Sequence, residues 1–314
     1  MHITVAICTW NRCRVLQRTL DAFTHVAPPG NADWELLVVN NNSTDETDAV
    51  VRSFEGRLPV RGAFEPTPGQ SNARNRVIAE AAGDYIVWTD DDVTACADWL
   101  VSYVDAFRKW PDAALFGGPI EACFDATPPK WLPKVYPAIA GMYAVREFGA
   151  DPIPFEAPYV IPWGANYVTR ASEQRRYRYD PDLGHRPGLL MAFEETEVIL
   201  AMLRDGVQGR WVPRARVLHH IPKSRQTIRY LRTRFHDRGR YTALRGDVPY
   251  SRLVFGRPPW LVKRAVGAEL KYRLHRVISK PEVWVEHLIA ASENWGILQD
   301  FTPKEPQSVR PLAP

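Results

Sequence analysis

The 314-residue sequence predicts an α/β protein: a mostly parallel, twisted sheet with helices on both faces, followed by a basic, mostly helical C-terminal region. Three observations carry this. In the first half, short runs that are apolar throughout alternate with segments of helical periodicity; strands of that kind are buried on both faces of a parallel sheet. Polar clusters follow those runs, at the carboxyl ends of the strands, where such sheets bind ligands. After residue 222 the composition changes: residues 223–280 hold 16 Lys or Arg against 3 Asp or Glu, and since the chain is net +4 overall, its remainder is acidic.

The elements follow in order. "ITVAI" (3–7) is a β-branched strand, and the helix after it sets Val15, Leu16, Leu20 and Phe23 on one side. "ELLVV" (35–39) is a second buried strand, and "STDETDAVVRSF" opens a helix in which Ser43 and Glu46 have the spacing of a capping box. A short third strand falls near "LPVRGAF". The helix "SNARNRVIAEAAG", from Ser71, has Gly83 placed to stop it and leads into a fourth strand, "YIVWT". Prolines are dense from Pro128 to Pro162, but Trp131, Tyr136, Phe155 and Trp163 interleave with them, so the stretch reads as an ordered, substrate-covering excursion and not as a linker. Regular structure returns with "ANYVTR", "EETEVILAMLRDG" and "RWVPRARVLHHI". Beyond them Leu261, Val262, Ala265, Val266, Leu270, Leu274 and Val277 form one apolar stripe flanked by Lys and Arg. Such an amphipathic helix suits packing on the main domain or docking on a membrane surface.

The four cysteines include no C-x-x-C pair, the opening "MHITVAIC" lacks a basic leader, and no run approaches the roughly 20 apolar residues of a membrane span. A cytoplasmic protein is expected, soluble or peripheral at the inner membrane face. The basic segment calls for an anionic partner, a membrane surface or nucleic acid. Residues 223–280 contain no recognisable nucleic-acid module, which leaves a nucleic-acid-binding protein as the alternative from another class.

At the end of "YIVWT" stand Asp90, Asp91 and Asp92. Strand alternation, if it continued, would turn Asp90 and Asp92 to one side and Asp91 to the other. Two convergent carboxylates suit Mg²⁺ or Mn²⁺ shared with substrate phosphates; the alternative is an acidic turn before a helix capped by Asp98.

The blocks "VAICTWNR", "ELLVVNNNSTDET", "GQSNARNRVIAEAAGDYIVWTDDDV" and "FEETEVILAMLRDG" resemble, in order and spacing, family 2 glycosyltransferases over residues 1–225. The resemblance implies the GT-A nucleotide-sugar-binding fold and inverting, metal-dependent (Mg²⁺ or Mn²⁺) transfer of a sugar from a nucleoside-diphosphate donor, uridine by family habit, to a hydroxyl acceptor. The acceptor would be a glycan, a lipid-linked glycan or a small molecule. The expected division is a catalytic domain over 1–222, nucleotide-binding in 1–125 and acceptor-facing in 126–222, then the basic region over 223–314.

Residue by residue, the resemblance places Thr9, Asn11, Arg12, Asn40 and Arg74 at the nucleotide, Asp90 at its ribose or the metal, and Asp92 on the metal. Asn40 stands where the family usually has Asp; turn chemistry before a helix is the competing account of Asn40. The base that takes the acceptor proton falls on Glu195, with Glu194 as second candidate and Phe193 where glycine is usual. His219, in "VLHHIP", matches a family histidine near metal or diphosphate, and alternation allows only one of His219 and His220 to serve. In "PWGANYVTR", Trp163, Gly164 and Asn166 are expected against donor or acceptor sugar, with Trp163 as ordinary core the alternative.

Overall fold

The computed structural model describes residues 1–185, 193–246 and 248–303. The chain runs β1 (His2–Thr9), α1 (Cys13–Phe23), β2 (Asp33–Asn40), α2 (Thr47–Ser53), β3 (Val60–Phe64), α3 (Gln70–Glu80) and β4 (Tyr85–Asp90). Then come β5 (Val93–Ala95), α4 (Trp99–Lys109), β6 (Leu115–Gly117), β7 (Ile120–Phe124), α5 (Leu132–Ile139), β8 (Asn166–Arg170) and α6 (Ala171–Gln174). The last elements are α7 (Glu194–Arg204), β9 (Gly209–Trp211), β10 (Val217–Ile221), α8 (Ile228–Arg245), α9 (Pro259–Ile278) and α10 (Pro281–Asp300).

Two compact units result: Met1–Ala126 with Tyr143–Pro222, and Thr127–Met142 with Lys223–Pro314. Thr127–Met142, expected on the acceptor side of the first domain, belongs instead with the C-terminal helices. Its Trp131 ring meets Trp284 of α10 with centroids 5.8 Å apart, a long-range aromatic contact that no local pattern announces. Residues 304–314 of the expected C-terminal region lie outside the described residues.

In the first unit, the described strands form a seven-stranded sheet in the order β3-β2-β1-β4-β8-β6-β9. β1 pairs in parallel with β2 and β4, while β8 runs antiparallel between β4 and β6. A three-stranded sheet, β5-β10-β7, carries "VLHHI" between two short neighbours. Alternation along the strands sends Ile3, Val5, Ile7, Leu36 and Val38 to one core, with Leu16 and Leu20 of α1 and Trp99 and Tyr103 of α4. Ala6, Leu37, Val39, Ile86 and Trp88 face the other core, with Val77 of α3, Tyr167 of β8 and Met202 of α7. Both faces are therefore dry, as the unbroken apolar runs require.

Two local expectations are corrected. Ser43 caps no helix: its Oγ accepts a hydrogen bond from the Asn11 N–H across the loops (2.9 Å), and α2 begins only at Thr47, whose N–H donates to Asp45 Oδ1. Gly83 does not end α3, which stops at Glu80 with Ala81 extended. Gly83 is needed further on, where a Cβ would lie 2.5 Å from the Thr4 backbone nitrogen in β1.

In the second unit, α8, α9 and α10 pack through Leu231, Phe235, Leu261, Ala265, Trp284 and Leu288. α8 and α10 touch backbone to backbone at two glycines. A Cβ on Gly239 would overlap the carbonyl of Glu293, and one on Gly296 the carbonyl of His236. Gly296→Ala is thus expected to wedge the helices apart and destabilise by about 2 kcal/mol. Gly267→Ala in α9, where nothing lies within 4 Å, should instead stabilise by up to ~1 kcal/mol through helix propensity. Urea titrations of both variants check the opposite signs.

Candidate active site

Parallel pairing of β1 with β2 and β4 brings their carboxyl ends together, with Thr9 beside Asn40 and Cys8 beside Asp90. β4 ends at Asp90 and residues 91–92 form a turn, so the strand alternation expected for the three aspartates stops there. Asp91 and Asp92 are both buried, and Arg12 spans them, pairing with Asp91 and with Asp92 Oδ2 at 2.8 Å. Thr9 Oγ1 donates to Asp91 Oδ2 (2.7 Å), and Thr19 Oγ1 donates to the Asp91 carbonyl (2.6 Å).

Asp92 turns its other oxygen, Oδ1, toward His219 Nε2, 3.3 Å away. His219 Nδ1 lies 2.8 Å from the Tyr143 carbonyl. A carbonyl only accepts, so Nδ1 carries a proton toward it, and Nε2 is the nitrogen that faces Asp92. His220 faces the opposite way, toward Thr94 and Asp125. Of the two adjacent histidines, His219 is the one at the aspartates.

Two asparagines expected at substrate have their side chains engaged inside the protein. Asn40 Oδ1 accepts from the Ser43 N–H (2.8 Å), and Nδ2 donates to Asp48 Oδ1 (2.7 Å), which shapes the loop after β2. Asn166 is fully buried. Its Oδ1 accepts from Trp99 Nε1 (2.9 Å) and Tyr103 OH (2.7 Å), and its Nδ2 donates to the carbonyls of Pro119 (3.0 Å) and Ala215 (2.7 Å). All four hydrogen-bonding positions of that amide are filled, so Asn166 is a structural joint and not a sugar contact. Asn11 likewise joins loops, accepting from the Thr44 N–H at 2.7 Å. Thr9 and Arg12 hold the aspartates in place rather than reach outward.

A second cluster adjoins the aspartates. Arg74, from α3, is buried under Trp88, Tyr167 and Tyr179, with its guanidinium carbon 5.5, 5.8 and 5.4 Å from the ring centroids. Its Nη1 donates to Tyr167 OH at 2.8 Å. Its Nε stands 3.4 Å from Glu194 Oε1, and among the described residues neither Arg74 Nε nor Glu194 Oε2 has a hydrogen-bond partner. Gly164 brings the backbone up to this pair: a Cβ there would lie 3.0 Å from Arg74 Nη2 and 3.3 Å from Glu195 Oε1. Trp163 is half-buried, with the Arg146 guanidinium 4.5 Å from its ring centroid. Sequence reasoning missed Tyr167 and Tyr179; for Tyr167 the signal was its inward position two residues before Thr169 in "NYVTR".

Glu194 and Glu195 open α7, where the helix N-terminus favours negative charge. Phe193, before them, holds a left-handed φ of 91°, the conformation for which glycine is the usual choice. Burial, reinforced by neighbouring Glu195, pushes the Glu194 carboxyl up to about 8 against the pull of Arg74. Burial and Asp92 also raise Asp90, opposed by Arg74 and His219. Each of the two clusters thus lies within the electrostatic reach of the other.

The Glu194 shift has a definite sign. A carboxyl whose folded pKa exceeds its unfolded value of 4.5 contributes stability that is full below 4.5 and is lost as pH rises to about 8. Glu194→Gln lacks that loss. Its melting temperature minus that of the wild type should therefore increase steadily from pH 5 to pH 8.5, as thermal melts across that window would show.

The family model described as "Glycosyl transferase family 2" matches residues 4–165. The succinoglycan biosynthesis protein ExoM of Rhizobium meliloti is 28% identical over 134 residues, 42% of this chain and 43% of that protein. The glucosyl-dolichyl phosphate glucuronosyltransferase of Haloferax volcanii is 27% identical over 145 residues, 45% of each chain. The match thus spans less than half the length of either relative. Among solved structures, a mannosyltransferase from Pyrobaculum calidifontis in complex with GDP-Man and Mn²⁺ shares the fold, with a TM-score of 0.56 and 19% identity. That alignment covers 93% of this chain and 86% of the other.

Proposed function

The chain belongs to glycosyl transferase family 2, and from that premise we propose that it moves a sugar, with inversion, from a nucleoside-diphosphate donor to a hydroxyl acceptor. The observation that carries this is the meeting of two clusters at the carboxyl ends of β1 and β4. One is the acidic pair Asp90 and Asp92 with His219; the other is Glu194 and Glu195 with Arg74. One can hold a diphosphate through a cation, and the other can take a proton.

In the proposed step Glu195 accepts the proton of the acceptor hydroxyl. The freed oxygen bonds to the anomeric carbon on the face opposite the leaving group. The bond from that carbon to the diphosphate breaks, and its electron pair stays on the phosphate oxygen. Glu194 is the poorer base at neutral pH, because burial favours its protonated form. Gly164 has the complementary task, since its missing side chain leaves room beside Glu195 Oε1.

The residues present fit Mg²⁺ or Mn²⁺. Asp92 Oδ1 and His219 Nε2 stand 3.3 Å apart, and carboxylate oxygen with an unprotonated imidazole nitrogen is an acceptable donor set for Mn²⁺. Among the described residues no three His, Cys, Asp or Glu form a cage by themselves, which suits a cation completed by substrate phosphates. Bound there, it would act as a Lewis acid and neutralise charge on the departing diphosphate. Arg12, already paired with Asp91 and Asp92, orients both carboxylates and opposes the burial that raises the Asp91 carboxyl to about 7.

The test needs no acceptor. Thermal stability is measured against a panel of nucleoside diphosphates and nucleotide sugars, uridine forms included, with and without Mn²⁺. A ligand at 100 times its Kd should add about 2.7 kcal/mol. A cation-dependent shift confined to one base, absent in Asp92→Asn, is expected; a full shift in that variant removes Asp92 from the donor site. The names of the two relatives support polysaccharide or lipid-linked glycan assembly as the setting.

A further inference from the structure

The stripe read from the sequence as one apolar face of α9 is divided by the structure. Leu261 and Ala265 are buried, together with Tyr272, whereas Val262, Val266, Leu270, Leu274 and Val277 are exposed, Leu270 at 63% and Val277 at 84%. At 100° per residue these five fall on an arc of about 120°, turned away from the buried residues. The physical reason is geometric: a 20-residue helix laid against α10, and tied to α8 through Arg232, covers only one side of itself, and here the apolar residues extend around both.

What borders the exposed arc decides its occupant. Lys263, Arg264, Lys271, Arg273 and Arg276 are all exposed, and Glu269, half-buried and paired with Arg232 and Arg273, is the single acid of the helix. On the same wheel Arg264, Lys271 and Arg276 border the arc, while Arg273 and Lys263 rise within it. Long cationic side chains beside and among an apolar ridge can reach the headgroups of an anionic bilayer while the ridge meets the acyl chains. A second copy of the chain fits poorly, because pairing two such ridges would bring the Lys and Arg rows of both helices together. The turn leading into α9 adds Phe255, wholly exposed with a φ of 50°, between Val254 and Gly256. Among the described residues no helix is long and apolar enough to cross a membrane, so the contact is with a surface.

We infer that the outer face of α9 docks on anionic lipid bilayers. This goes beyond sugar transfer and does not depend on it. The experiment is co-sedimentation of the full chain with vesicles of phosphatidylcholine, with and without phosphatidylserine, at low and high salt. Binding is expected only with phosphatidylserine, and high salt should release it. Lys263→Ala and Lys271→Ala should each weaken it about fivefold. Leu270→Glu with Leu274→Glu should leave the protein in the supernatant, while its melting temperature and nucleotide-induced stabilisation stay at wild-type values, since both side chains point outward. Three results would overturn the inference: no binding, equal binding to both vesicle types, or binding that survives the double glutamate variant. A dimer in sedimentation velocity that the same variant dissolves would assign the face to a second copy and also overturn it.

Discussion

Glu195→Gln is expected to lower kcat about 10³-fold, roughly 4 kcal/mol of barrier, while leaving the melting temperature and donor-induced stabilisation unchanged. Gln keeps the size and the helix position but cannot accept a proton as a carboxylate does. Glu194→Gln separates the two neighbours: its partner is the buried Arg74, so it should change stability with pH more than it changes the rate. Turnover assayed with an excess of both substrates distinguishes them. If Glu194→Gln loses the rate and Glu195→Gln keeps it, the two assignments are exchanged.

The second large effect is on the fold. Asn166→Ala would strip partners from Trp99 Nε1, Tyr103 OH and the carbonyls of Pro119 and Ala215 in one step, all within the core. Each orphaned buried group costs about 1–3 kcal/mol, and with partial relaxation the sum should reach about 4 kcal/mol. Asn166→Asp should be no milder, since it sets a carboxylate oxygen against two carbonyls. A sugar-binding Asn166 would behave otherwise, with a normal melting temperature and a raised KM. Differential scanning calorimetry of both variants, with KM for any protein that remains folded, decides between the two roles.

These cases show what the sequence makes legible. Strands such as "LLVV" (36–39) announce themselves because burial on both faces leaves no polar position in the run. Asp92, Glu195 and His219 are singled out by the family resemblance and not by local pattern; Asp92 in particular lies in the turn after β4, where alternation has stopped. The side chains of Asn40 and Asn166 find partners inside the protein instead, because an asparagine after one strand and one opening another can serve a turn, a core or a ligand equally. Only partners distant in sequence choose, and for Asn166 the nearest donor or acceptor is 47 residues away. Arg12 is a stronger instance, since its partners Asp91 and Asp92 lie 79 and 80 residues on. The α9 stripe failed differently. Periodicity counts the apolar residues of a helix but does not say which of them find neighbours.

The glycine contacts between α8 and α10 also bear on how the second unit breathes. Two backbones in direct contact cannot part at one point without parting along their length, so amides of α8 and α10 near Gly239 and Gly296 should exchange with deuterium through a single shared opening. α9 buries three side chains, Leu261, Ala265 and Tyr272, and adds the Glu269–Arg232 pair. Its amides should exchange through smaller, earlier openings, so that the helix can loosen while the pair beneath it stays shut.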